Sequence, residues 1–171
     1  MFRLKFFLSL LIVAFSVGSC KFSRQDTGDN ATSKKEIITV SIPPQQYLVK
    51  QIAGNQFEIN IMIPPGANPV TYDPSPGKMK KVANSVAYIK IGHLAFEKNW
   101  MNKFASVNPD LKIIDQSKYT NLIKAKKGKK ASSRNHGTGV DPHIWTSPEA
   151  VKQQIKAIKE GLTELDSSHA L

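Results

Sequence analysis

Four histidines and a single cysteine are the side chains of this 171-residue sequence best suited to chemistry. Neutral imidazole is the commonest protein ligand for Zn²⁺ and related divalent ions. His143 lies in DPHIW, where Pro142 and Trp145 restrain it and Asp141 is close enough to orient the ring as an outer-shell partner. His93 follows the apolar run VAYIKIG. His136 falls among lysines, and His169 lies near the frayed end and is set aside. The competing reading is that His143 and Trp145 only pack a helix entry, and that His93 is itself a helix-entry residue. Enzyme chemistry has little to stand on. No Ser or Cys nucleophile has a recognisable base, and no glycine-rich phosphate loop is present.

Cys20 has a different chemistry. MFRLK is a short basic start, FFLSLLIVAF is an apolar stretch too short to span a bilayer as a mature helix, and VGSC places small residues before the thiol. Together they read as a signal peptide over residues 1–19, cut before Cys20 within a bacterial lipobox, so that Cys20 is the acylated anchor. The alternative is an ordinary signal peptide with a chance cysteine. With one cysteine, an intramolecular disulfide is excluded. Residues 20–36 are polar, with one large apolar side chain, and read as a flexible tether.

These side chains need elements to position them. EIITVSI (36–42) is β-branched and ends at Pro43-Pro44; FEINIMIP (57–64), VAYIKIG (86–92) and LKIID (111–115) read as three further strands. Tyr47, Leu48 and Ile52 share a helical face before Gly54, and Met79, Val82, Ala83 and Val86 another after Ser75-Pro76. Phe96, Trp100, Phe104 and Val107 mark a third helix. Strand and helix alternate with short connections, which predicts an α/β lobe over residues 37–145 with a parallel four-stranded sheet flanked by helices. Ser147, Pro148 and Glu149 then open a long helix (146–166) with an apolar stripe at Val151, Ile155, Ile158, Leu162 and Leu165. Gly161 should weaken that helix by about 1 kcal/mol relative to Ala.

In an open α/β sheet, ligands bind beyond the carboxyl ends of the strands. Gly92-His93 and DPHIW lie on that rim, as does the loop GANPVTYDPSP (66–76). Its three prolines fix φ and make it stiff, yet its apex is Val70, which has no chemistry.

The chain resembles the periplasmic zinc/manganese-binding lipoproteins of ABC metal transporters, the cluster A-I solute-binding family. The markers are GANPVTYDPSP, IGHLAFEKNW and GVDPHIWTSP, in that order. The resemblance implies two α/β lobes joined by one rigid helix, with a transported Zn²⁺ or Mn²⁺ held between them by about three histidines and a carboxylate. It implies an ABC permease as partner, attachment to a membrane through the lipid, and a location in the bacterial cell envelope facing the periplasm or exterior. His143 matches the histidine of the family's DPH motif and carries over as a metal ligand. Asp141 stands behind it. The stiff loop usually presents a histidine; Val70 takes that slot here and cannot donate an electron pair. His93 is the candidate substitute.

Two further departures stand out. The net charge is +11, and seven basic residues fall in the loop 116–140 (Lys118, Lys124, Lys126, Lys127, Lys129, Lys130 and Arg134), where the family often has a His- and Asp-rich loop. That loop repels cations at low salt. The second lobe is not encoded within these residues, so the long helix is expected to leave much of its stripe uncovered. Two alternatives remain. One is a non-binding interaction lobe. The other is a lipoprotein that binds polyanions or a surface through the basic loop. Nucleic acid is not the expected partner, because only Tyr119 could stack on bases there.

Overall fold

A computed structural model describes residues 34–121 and 140–165. The signal peptide, Cys20, most of the tether, His136, His169 and residues 122–139 of the basic loop lie outside the described residues. Residues 34–36, the end of the tether, are exposed and form no regular element.

Strands β1 (Ile37–Val40), β2 (Glu58–Ile61), β3 (Ser85–Lys90) and β4 (Lys112–Asp115) form one sheet in the order β2-β1-β3-β4. Every pairing is parallel, with Ile38 opposite both Ile59 and Ala87, and Tyr88 opposite Ile113. The central strands are therefore covered on both faces, and all four residues of β1 are buried. The edges β2 and β4 keep only one buried residue each. This is the fold the alternation predicts.

Two apolar layers cover the sheet. On one face, α2 (Pro76–Ala83) and α3 (Ala95–Val107) bring Val82, Phe96 and Phe104 onto Met62, Tyr88 and Ile91. On the other, α1 (Pro43–Ala53) and α4 (Pro148–Leu165) bring Leu48, Val49, Ile158 and Leu162 onto Ile38, Val40, Ala87 and Ile89. Two 3-10 turns, Gln116–Tyr119 and Ile144–Thr146, were not legible in the sequence. The first is built, not loop-like: Gln116 is fully buried, and its side-chain oxygen accepts from Gln45 Nε2 at 2.7 Å.

Several helix faces are rotated from the expected ones. In α1, Val49 is buried and Tyr47 is 63% exposed. Gln45 sets that rotation. Its Oε1 accepts from the Ser41 and Ile42 amides, and its Nε2 donates to Ile89 O, so the helix is keyed to the ends of β1 and β3. Val107 is exposed because α3 ends there. The stripe of α4 is not left open. Ile158 and Leu162 are buried and Val151 and Leu165 partly buried against the lobe itself, and Ile155 alone of the five stays exposed. The face that packs is centred on Gln154, Ala157, Ile158, Gly161 and Leu162.

Candidate metal-binding rim

The strand order reverses between β1 and β3, and the carboxyl ends of those two strands flank the crevice where open α/β sheets hold ligands. Here a protein carboxylate fills it. Glu97, in the first turn of α3, is buried. Its Oε1 accepts from Ser41 Oγ at 2.5 Å and from the Ile91 amide at 2.7 Å; its Oε2 accepts from the Gly92 amide at 2.7 Å. Tyr88, fully buried, completes the network through a 2.7 Å hydrogen bond between its hydroxyl and Ser41 Oγ. Burial pushes the Glu97 carboxyl above its ordinary range, against the hydrogen bonds from Ser41, Gly92, Ile91 and Leu94. Burial also drives the Tyr88 phenol well up. The sequence reading did not single out Glu97. The available signal was an acidic residue in a helix first turn just after a strand-ending glycine, where it can reach back to open amides.

Gly92, two residues past the end of β3, has φ of 104°. A Cβ there would lie 2.3 Å from Ser117 Oγ and 2.7 Å from Asp115 Oδ1, so both its backbone conformation and its neighbours require glycine. Asp115 accepts from the Ser117 amide and hydroxyl and pairs with Lys90 Nζ at 3.0 Å. Burial raises its carboxyl, but Ser117 and Lys90 outweigh burial and hold it below the usual range.

The loop of residues 64–75 is stiff for reasons beyond proline. Asn68 O accepts from the Thr71 and Tyr72 amides, and Asn68 Oδ1 accepts from the Val70 amide at 2.9 Å. Tyr72 then rests on Phe96 with ring centroids 6.1 Å apart, tying the loop to the core. Val70 stands on this mount, 49% exposed.

His143 follows Asp141-Pro142 and leads into the second 3-10 turn. Asp141 Oδ1 accepts from the His143 amide at 2.9 Å and lies 2.6 Å from His143 Nδ1. When the ring is neutral, Nδ1–H donates to this carboxylate and the lone pair falls on Nε2, the arrangement of a carboxylate-oriented metal ligand. The ring lies against Trp145 at 5.1 Å, and its side chain remains 45% exposed. Trp145, expected to restrain the ring, touches it, and Asp141, expected to orient it, lies within hydrogen-bond distance. Gln154 of α4 donates to Ile144 O at 3.0 Å and fixes the turn to the long helix.

His93 is partly buried and lines a separate cleft of about 230 Å³ with Lys90, Gly92, Leu94, Glu97, Lys98 and Met101. Lys90 and Lys98 both line that cleft, and the Lys90 ammonium is held by Asp115 at 3.0 Å. Among the described residues, no three His, Cys, Asp or Glu side chains come together as a group able to hold a metal ion.

The described lobe is a parallel sheet with helices on both faces, and His143 lies 2.6 Å from Asp141 on the segment that leads into α4. Residues 38–171 match the family described as zinc-uptake complex component A, periplasmic, and the chain belongs to it. A relative from Chlamydia trachomatis is 30% identical over 161 residues, covering 94% of this chain and 52% of its own length. The manganese-binding lipoprotein MntA of Halalkalibacterium halodurans is 21% identical over 161 residues, covering 94% of this chain and 49% of its own. A crystal structure of ZnuA superposes with a TM-score of 0.67 at 35% identity, over 78% of this chain and 48% of that one. The chain spans about half the length of these relatives.

Proposed function

We infer that this chain is the amino-terminal lobe of an extracytoplasmic metal-binding lipoprotein, anchored through acylated Cys20, that takes up Zn²⁺ or Mn²⁺ as cargo and delivers it to an ABC permease. The observation that supports the reading is the His143–Asp141 pair at 2.6 Å. A single oriented imidazole holds a divalent ion weakly, and the remaining donors of a complete site come from outside this lobe. His93 is a minor contributor in this reading, since it shares its cleft with Lys90 and Lys98. The named relatives are binding proteins, and we assign no reaction to the chain.

Calorimetric titration of the chain with Zn²⁺ and with Mn²⁺ tests this. Weak binding is expected from the unaltered chain. His143→Ala should weaken it by more than the about 10–100-fold lost when only an outer orienting partner is removed. Identical titrations of the two proteins would remove His143 from the site. Val70 supports a second reading, a lobe that has lost metal binding and is kept for contact with a partner; no measurable uptake by the unaltered chain would favour it.

A further inference from the structure

Strand β2 is an edge of the sheet, and among the described residues no strand lies on its outer side. The Glu58 and Met62 amides donate to Glu36 O and Val40 O on the β1 side. Alternation along the strand then turns the N–H and C=O of Ile59 and Ile61 outward, away from β1. This edge borders a cleft of about 420 Å³ that Gly77, Lys78 and Lys81 of α2 also line. An open edge of this kind is a template for pairing with another chain. Here α2 reaches over it at three of the four residues of β2. Lys78 Nζ donates to Ile61 O, Asn60 Nδ2 donates to Lys78 O at 3.3 Å, and Lys81 Nζ pairs with Glu58 Oε1 at 2.8 Å. The Lys78 ammonium thus occupies an outward carbonyl that an added strand would use. Burial and the neighbouring Lys81 ammonium hold Lys78 below the usual lysine range.

We propose that Lys78 and Lys81 hold shut a self-association surface: with them in place the chain stays monomeric, and without them β2 pairs antiparallel with β2 of a second copy. The edge is self-complementary. With Asn60 on the two-fold axis, Ile59 faces Ile61 of the second copy and the reverse, so each outward N–H meets an outward C=O. The joined sheet is continuous, so α2 of both copies lies over the same face and the lysines of one approach those of the other. They therefore oppose pairing twice, by occupying Ile61 O and by like-charge repulsion. The Ile59 and Ile61 side chains, half-buried on the face away from α2, add apolar contact once the edges join.

Light scattering and residue-resolved amide hydrogen exchange on the full chain test this. In the unaltered chain the Ile59 and Ile61 amides should exchange at least about tenfold faster than those of Asn60 and Met62, whatever the concentration. K78A/K81A should self-associate as concentration rises, and its Ile59 and Ile61 amides should then slow by about tenfold or more, with the β1 amides still protected as the sign that it folds. K78M/K81M keeps the aliphatic stems and should do the same, and it serves where the alanine variant is unstable. K78R/K81R keeps donors and charges and should behave as the unaltered chain. In K78A/K81A/I59P, proline removes an outward N–H and leaves the β1 ladder alone, so association should be lost. A lysine-free variant that folds and stays monomeric, association without slower exchange at Ile59 and Ile61, association that survives I59P, or slow exchange at both residues in the unaltered chain would each overturn the proposal. The readouts need no bound metal, so their failure leaves the proposed metal function standing.

Discussion

The geometry around Val70 does not depend on its side chain. The Asn68 hydrogen bonds, the prolines and the Tyr72–Phe96 contact hold the backbone of its loop whatever side chain stands at the apex. A histidine placed there starts from a rigid mount, so little conformational entropy opposes ligation. Val70→His should therefore tighten Zn²⁺ binding by about tenfold or more, about 1.4 kcal/mol, with the fold unchanged. Calorimetry on the two proteins checks this, and unchanged affinity would mean that the apex does not face the ion. Asp115 offers a residue-scale test of the rim's electrostatics. Its folded carboxyl titrates below its unfolded value, so its contribution is present above the unfolded value of about 3.9 and is lost as pH falls through the folded one. Asp115→Asn should cost about 1–2 kcal/mol at neutral pH. The gap in melting temperature between the two proteins should close as pH falls from about 5 toward 2. Glu97 has the opposite sign: its folded value is raised, so its contribution is full below its unfolded value and lost as pH rises through the folded one. It titrates in both proteins and cancels in the comparison.

At the scale of elements, Gly161 reverses an expectation drawn from propensity. As an exposed helix glycine it would be a defect that Ala repairs by about 1 kcal/mol. It is instead buried where α4 crosses β4, and a Cβ there would lie 2.5 Å from Ile114 Cδ1 and 2.6 Å from its Cγ1. Gly161→Ala should destabilise the chain, since overpacking costs about 1–3 kcal/mol. Ile114→Val removes Cδ1, so the double variant should recover about 0.5 kcal/mol or more relative to additivity in denaturant melts. The same contrast explains what the sequence made legible. The strands were readable because parallel strands covered on both faces are continuous apolar runs, as at Ile37–Val40. The long helix was readable from its spacing. Which residues of a helix meet the sheet was less so, because buried polar keys set the rotation: Gln45 in α1 and Gln154 in α4. Nothing in a spacing pattern distinguishes a buried glutamine from an exposed one. The contact between Asp141 and His143 was legible because residues two apart in one motif touch through local geometry. Glu97 was not, because its role depends on Ser41 and Gly92 arriving from other strands.

For the molecule as a whole, the question is whether α4 is a spacer or a part of this lobe. A helix that merely joins lobes would be dispensable to the folding of either. Here it closes one of the two apolar layers: Ile158 and Leu162 are buried, Val151 and Leu165 pack at the margin, and Gln154 holds the turn that carries His143. Burying an Ile or Leu side chain contributes about 1.5–3 kcal/mol. Two such residues and their partly buried neighbours are comparable to the about 5–15 kcal/mol that holds a whole domain folded. Ending the chain after Thr146 also bares Ile38, Val40, Ala87 and Ile89 on the sheet. The shortened chain should lose its cooperative thermal transition and its near-ultraviolet circular dichroism, and should aggregate at concentrations where the full chain remains dispersed. A sharp melt at an unchanged temperature would show that the helix is only a connector. The opposite outcome makes residues 34–165 a lobe that folds with its own long helix in place, so that the imidazole at residue 143 is positioned before any second lobe is engaged.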